Sequence, residues 1–233
     1  TADWLRQYRA QLRDPAGSLA QWQQLINNET KSLGLNGDDT SSEIVLGLLW
    51  NLADLHRQLN DRSALMVDVD RMIQLDAEAA DRTAINLLQW FVEQKSWDVV
   101  DEFLVKYDDQ LSHSKRPLYI AAMARVRQGK NELAEQLAEK ASLLDTQAPL
   151  ESFIAAKDLE LRGQYDWSVR EYQRAIGKKD VNDNREVFSH ESMLARVSLA
   201  NMLNDHEEFQ KASEVIEPLK KAVQDDGNNG RLY

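Results

Sequence analysis

The sequence predicts an all-α fold, a solenoid of about five to six antiparallel helix hairpins. Three observations predict it. A residue pattern returns every 34 positions: aligning Gly129 with Gly163 also aligns Asn131 with Tyr165, Ala134 with Ser168, Ala138 with Tyr172 and Ala141 with Ala175. The same shift backwards brings Trp97 under Asn131 and Val100 under Ala134. Valine and isoleucine stand singly inside stretches with a 3.6-residue apolar period, not in the alternating runs of strands. Nine Gly and four Pro in 233 residues are too few for the many tight turns of an all-β chain.

The elements follow in order. Residues 1–40 form a divergent N-terminal hairpin or cap, in which Asp14 before Pro15 marks the start of the second helix. Residues 41–179 are the core repeats. The unit at 41–76 opens with Thr40 and Glu43 at capping-box spacing. The unit at 81–110 has Asp81 and Ser96 as its expected N-caps, because their side-chain oxygens can accept free first-turn amides. It carries Lys95 where the next units carry Gly. In the units at 117–145 and 149–179, Pro117 and Pro149 open the first helix and Gly129 and Gly163 close it. Proline suits a first helical turn, and glycine the left-handed residue that ends a helix.

An inserted loop at 180–186, within the stretch KKDVNDNREVFSH, raises the spacing from Tyr165 to Phe209 to 44 residues. It is the loop expected to do something specific. The last repeat and C-terminal cap occupy 187–224, followed by a flexible tail at 225–233. Pro218 falls where the second helix of that repeat should run, and it is expected to kink or end it.

Composition bounds the function. The formal charge is −11, from 39 acidic and 28 basic residues, a balance that repels phosphate backbones and disfavours nucleic acid. The chain has no cysteine, which removes disulfides, thiolate metal sites and a Cys nucleophile. No apolar run reaches the roughly 18–20 residues needed to span a bilayer, and no signal peptide is visible. The chain reads as a soluble segment of a longer or processed protein, with no direct membrane insertion and no assigned compartment.

The units resemble tetratricopeptide repeats. The residues that carry the resemblance are Ala122, Gly129, Ala134, Ala138, Ala141 and Asp145 in one unit, and Ala156, Leu159, Gly163, Tyr165, Tyr172 and Ala175 in the next. Small residues belong where paired helices about 8–10 Å apart cross most closely. Trp97 and Phe209 take the aromatic turn position of their units. The family's Trp and paired Gly in the first helix are mostly missing, and its repeat-ending proline is displaced to Pro149.

The resemblance implies a right-handed superhelix whose first helices line a concave groove. It places Trp50, Ile85, Tyr119, Phe153 and Val197 on the groove, then Asp54, Gln89, Met123, Lys157 and Asn201, and further along Arg57, Glu93, Arg127, Glu160 and Asn204. Of these, Trp50, Asp54, Arg57, Gln89, Tyr119, Met123, Phe153, Lys157 and Asn201 are the expected peptide-binding residues. Aromatics with polar neighbours suit an extended peptide or an amphipathic helix; packing between units is the alternative use for the rings. The family's co-chaperones grip a C-terminal carboxylate with Lys, Asn and Arg, which this chain lacks. It has Lys157 alone, with Trp50 and Asp54 where cation and amide would stand.

No catalytic pattern appears. His56, His113, His190 and His206 share no metal-ligand spacing, and no Gly-rich phosphate loop or GxSxG is present. The carboxylate pairs Asp68 with Asp70 and Asp108 with Asp109 read as solvated helix faces or ends. GDDTSSE lacks the ligand spacing and central Gly of a calcium loop, and Asn28-Glu29-Thr30 is a sequon without a secretion signal. The expectation is a scaffold, not an enzyme, that needs no metal or cofactor and binds a protein or peptide of basic or neutral character. Self-assembly, as a homo-oligomer or a spacer in a larger protein, is the alternative.

Overall fold

The computed structural model describes residues 13–36, 39–76, 79–144, 149–177 and 189–228, with side chains left aside at 32–42 and 222–228. Among the described residues every regular element is helical: α1 (Pro15–Asn36), α2 (Asp39–Gln58), α3 (Arg62–Leu75), α4 (Ala80–Glu93), α5 (Trp97–Lys106), α6 (Asp108–Leu111), α7 (Lys115–Arg127), α8 (Asn131–Leu143), α9 (Pro149–Leu161), α10 (Tyr165–Gly177), α11 (His190–Asp205) and α12 (Phe209–Asn228). None of these helices is long and apolar enough to cross a membrane.

Five turns share one geometry. Asn60, Lys95, Gly129, Gly163 and Glu207 all have positive φ, between 56° and 74°. In each turn the amide after that residue bonds a carbonyl five positions back: Asp61 to His56, Ser96 to Phe91, Lys130 to Arg125, Gln164 to Leu159 and Glu208 to Leu203, at 2.8–3.0 Å. The left-handed residue's own amide bonds the carbonyl three positions back, at 2.9–3.2 Å. This paired bonding is the Schellman motif, which satisfies the orphan carbonyls of a helix end and reverses the chain in a few residues. It joins α2 to α3, α4 to α5, α7 to α8, α9 to α10 and α11 to α12. The 34-residue sequence period is thus the pitch of the left-handed turn residue.

The starts of the helices sharpen several expectations. Asp14 accepts from the Gly17 amide at 3.0 Å, so the Asp-Pro step opens α1 as expected. Asp61 caps α3 through the Ala64 amide. Asp81 does not cap α4: Ala79 holds the N-cap position without a side-chain bond, and Asp81 lies in the first turn, where its charge meets the positive end of the helix dipole. Ser96 holds the N-cap position of α5, but its hydroxyl caps no amide. α7 begins two residues before Pro117. Pro218 does not end its helix, since α12 continues to Asn228. The Thr40 side chain, residues 1–12, the inserted loop at 180–186 and residues 229–233 lie outside the described residues, whereas 225–228, expected to begin a flexible tail at 225–233, continue α12.

Contacts divide the chain into two compact units, Thr1–His113 with Met123–Lys130, and Ser114–Ala122 with Asn131–Tyr233. In the first unit, Leu49, Leu52 and Leu55 of α2, Leu65 and Met72 of α3, Leu87, Leu88 and Phe91 of α4, and Phe103 of α5 are fully buried. Beneath them His56 and Asp68 form a buried contact of 2.6 Å between α2 and α3. Asp68 is therefore not a solvated helix-face residue. Its neighbour Asp70 accepts from Lys106 at 2.6 Å and from the Tyr107 hydroxyl.

In the second unit the core is Ala156, Tyr172, Ala175, Ala195, Leu199, Met202 and Leu203. The alanines sit where small side chains let helices cross closely, and Ser168 donates to the Ala156 carbonyl at 2.9 Å across such a crossing. α8 is tied to α10 by Glu135, which accepts from Arg170 at 2.7 Å and from the Trp167 indole at 2.9 Å. Arg170, then Trp167, holds the Glu135 carboxyl below its usual range.

A buried polar cluster crosses this unit. Lys115 at the start of α7 contacts both Glu171 oxygens of α10, at 2.8 and 3.0 Å. The Tyr119 hydroxyl, one turn further along α7, donates to the same carboxylate at 2.7 Å. Burial, then the charge of Glu171, pushes the Tyr119 phenol up. A paired buried charge is tolerated only while both partners remain.

Two outcomes follow from these pairs. Glu171→Ala strands the Lys115 ammonium and should cost about 3–5 kcal/mol in urea unfolding, whereas Lys115→Met with Tyr119→Phe and Glu171→Met should recover most of the loss. Burial pushes the Asp68 carboxyl up against the lowering contact of His56, so the folded state holds that proton more tightly than the unfolded chain. The associated stability is present at low pH and lost as pH rises through the raised value. Asp68→Asn keeps an acceptor for His56 without titrating; its urea midpoint should exceed the parent's at about pH 8, the gap narrowing towards about pH 4.

Candidate functional site

Exposed apolar side chains occur on both classes of helix: Val67, Val105, Leu133, Leu143 and Phe209 lie on second helices, whereas on the first helices they group with aromatic and polar neighbours, a separate set in each unit. In the first unit, Trp50 of α2 meets Trp90 of α4 edge to face, with ring centroids 5.3 Å apart and planes at 84°. Trp90 also rests on Phe91, which is buried. Arg57 lies 5.8 Å from the centre of the Trp90 ring, a cation–π arrangement that suits a planar guanidinium. Asp54 accepts from Arg57 at 2.7 and 2.9 Å and from Gln58 at 2.7 Å, which fixes the guanidinium over the ring. Gln89 donates to Glu93 at 2.9 Å. Trp50, Asp54, Arg57 and Gln89 are thus half-buried neighbours around a tryptophan pair.

In the second unit, α9 packs on α11, so two first helices lie side by side. α9 exposes Leu150, Ile154 and Leu161, and α11 exposes Met193, Leu194 and Val197. Ile154 is 56% exposed and Val197 44%. The spacing of three, four and seven residues puts these side chains on one stripe of each helix. Phe153 is half-buried; its ring packs against the core cluster and lies 6.2 Å from Tyr172. Lys157 pairs with Glu160 at 3.1 Å, and Asn201 is exposed on α11.

Tyr119 and Met123 are placed differently. They are only 3% and 5% exposed, so neither ring nor thioether is presented for contact. Tyr119 instead completes the Lys115–Glu171 cluster, and its ring lies 6.0 Å from Trp167. Residue-by-residue assignment missed Trp90, one position past Gln89, and Leu150, Ile154, Met193 and Leu194. An apolar recurrence at 150, 154 and 161, out of phase with the buried Ala155, Ala156 and Leu159, was the available signal.

The helix hairpins and their 34-residue pitch are similar to those of tetratricopeptide repeats. No family model matches the sequence, and no curated protein sequence matches it. Among solved structures the chain is similar to BtubC from P. vanneervenii, with 14% identity, 94% of each chain covered and a TM-score of 0.40. It is similar to the MamA protein, with 13% identity, 81% of this chain and 97% of that one, and a TM-score of 0.35. It is also similar to YrrB, described as a TPR protein with an unusual peptide-binding site, with 17% identity, 81% and 89% coverage and a TM-score of 0.33.

The exposures separate surface from core in a measurable way. Ile154→Ser and Val197→Ser should each change unfolding free energy by no more than about 0.5 kcal/mol. Tyr119→Ala should cost about 3–5 kcal/mol, since it removes a buried ring and leaves part of the Glu171 carboxylate unpaired.

Proposed function

We propose that the protein is a non-catalytic interaction scaffold that binds a peptide or partner domain on the exposed faces of its first helices. The observation that carries this is that the packed helices α9 and α11 each expose apolar side chains, Leu150, Ile154 and Leu161 on one and Met193, Leu194 and Val197 on the other, with the partly exposed Lys157 and exposed Asn201 on the same helices. Exposed apolar side chains grouped on one face mark interaction surfaces more often than scattered ones do. Two parallel stripes on packed helices fit the apolar side of an amphipathic helix or alternate side chains of an extended peptide. Polar residues beside them supply hydrogen bonds. The Trp50–Trp90 pair with Arg57 is a second anchor of the kind enriched in binding hot spots. The resemblance to tetratricopeptide repeats assigns Trp50 and Arg57, and Phe153, Lys157, Val197 and Asn201, to the groove side. The net charge of −11 favours a basic or neutral partner and disfavours nucleic acid.

Self-assembly is favoured by a separate observation. Tyr165 opens α10 and stacks on His206 of the following turn, with ring centroids 4.1 Å apart, and its hydroxyl, pushed up to about 12 by burial and by Glu208, donates to that carboxylate. Phe209 holds the same position in α12 and is 61% exposed. A further hairpin from a second copy would cover it, and a mass that rises with concentration in light scattering would support that state.

The scaffold proposal is tested by capturing partners on the immobilised chain and measuring each captured protein against variants. Ile154→Asp and Val197→Asp should weaken binding roughly tenfold or more by placing a charge in an apolar contact, with melting unchanged. Affinity unchanged by both would move the site off this face.

A further inference from the structure

Sulfur is distributed unevenly between core and surface. The chain has no cysteine and five methionines, and all five lie among the described residues. Met66, Met72, Met123 and Met202 are at most 5% exposed, whereas Met193 is 38% exposed. Met202 belongs to the core cluster of the second unit, and its sulfur accepts from the Ser168 hydroxyl at 3.6 Å. An oxidant in solution therefore meets one accessible sulfur, and the other four are reached only when the chain opens.

The accessible sulfur stands on the helix pair argued above to dock a partner. Met193 lies in the first turn of α11, where its amide bonds the Ser189 carbonyl at 3.0 Å and the Ser189 hydroxyl caps the Ser192 amide at 3.1 Å. Those bonds fix the backbone beneath the thioether. Val197 is one turn further along, the spacing at which helical side chains adjoin, and Leu194 follows Met193 directly. All three are exposed, as are Leu150 and Ile154 on α9, which packs on α11.

We propose that Met193 is an oxidation site: a peroxide converts its thioether to the sulfoxide and so takes the exposed α9–α11 face out of apolar contact. A sulfur lone pair attacks one peroxide oxygen, the O–O bond breaks and an S–O bond forms. The proton passes to the second oxygen, which leaves as water or an alcohol; sulfur has lost two electrons and the peroxide has gained them. A thioether is a weak acceptor, while the sulfoxide carries a strong S–O dipole that goes unsatisfied against an apolar partner. Methionine sulfoxide reductases, one for each epimer, return the thioether, the oxygen leaving as water as a dithiol becomes a disulfide. The consequence for binding rests on the reading of this face as a docking surface; the selectivity of the oxidation does not.

The test is limited hydrogen peroxide treatment of the full folded chain, read by peptide mass mapping and by retention on a phenyl-substituted matrix. One oxygen is expected at Met193 before any appears at the four buried methionines, and urea should abolish that selectivity. The oxidised chain should elute earlier than the parent with an unchanged melting temperature, and reductase treatment should restore the parent's retention. Met193→Leu should keep that retention and lose the response to peroxide, while Val197→Asp marks the elution of a face made polar outright. Against a partner captured on the chain, oxidation should weaken binding roughly tenfold or more in the parent and leave Met193→Leu unaffected.

Oxygen spread evenly over the five methionines, or selective oxidation with unchanged retention, would overturn the proposal. A partner released by Val197→Asp yet held by the oxidised chain would overturn it and leave the docking reading intact. A partner held equally by both would overturn the docking reading together with the switch.

Discussion

The left-handed residue that closes the first helix of each hairpin is the constraint on which the rest of the structure depends. A helix end leaves carbonyls without partners, and in all five turns the same two amides satisfy them while reversing the chain. Because the reversal takes few residues, the second helix must return antiparallel along the first. The faces of the two helices are then fixed relative to each other, and alanines fall at their crossings. The outer stripe of each first helix follows from that geometry: whatever is not buried against the second helix or a neighbouring hairpin is presented outward in register.

Polar groups are distributed unequally around this frame. Inside, Lys115, Tyr119 and Glu171 satisfy one another in the second unit, and His56 and Asp68 do so in the first. Such pairs contribute little net stability relative to apolar replacements, but they penalise any packing that separates the partners. At the surface, short-range pairs such as Arg57 with Asp54 hold side chains in place instead. Arg57 touches the tryptophan pair and also lines a cavity beside the turns at Asn60 and Lys95, so in the first unit the aromatic face and the turn edge meet at one residue.

The turns were legible in the sequence because Gly129 and Gly163 announce a left-handed residue, and the 34-residue period then identifies Lys95 as their equivalent. Asp14–Pro15 was legible for a similar local reason. Tyr119 was not, because its burial depends on Glu171, 52 residues further along the chain. Asp68 looked solvated because its partner His56 lies across a turn in another helix. Trp90 escaped because a periodic template assigns positions and not rings, and its role comes from the approach of Trp50 and Arg57. Pro218 misled in the opposite direction: its missing amide removes one helical bond, and the rest of α12 continues around it.

In the proposed function the first-helix faces are the working surface and the second helices their support. Photoreactive side chains placed singly on each class measure this most directly. Positions 154 and 197 sample the first helices; positions 105 and 133, also exposed, sample the second helices α5 and α8. Irradiation in native extract should give a discrete adduct, of one shared mass, from 154 and 197 and none from 105 or 133. Adducts formed from the second-helix positions alone would contradict it.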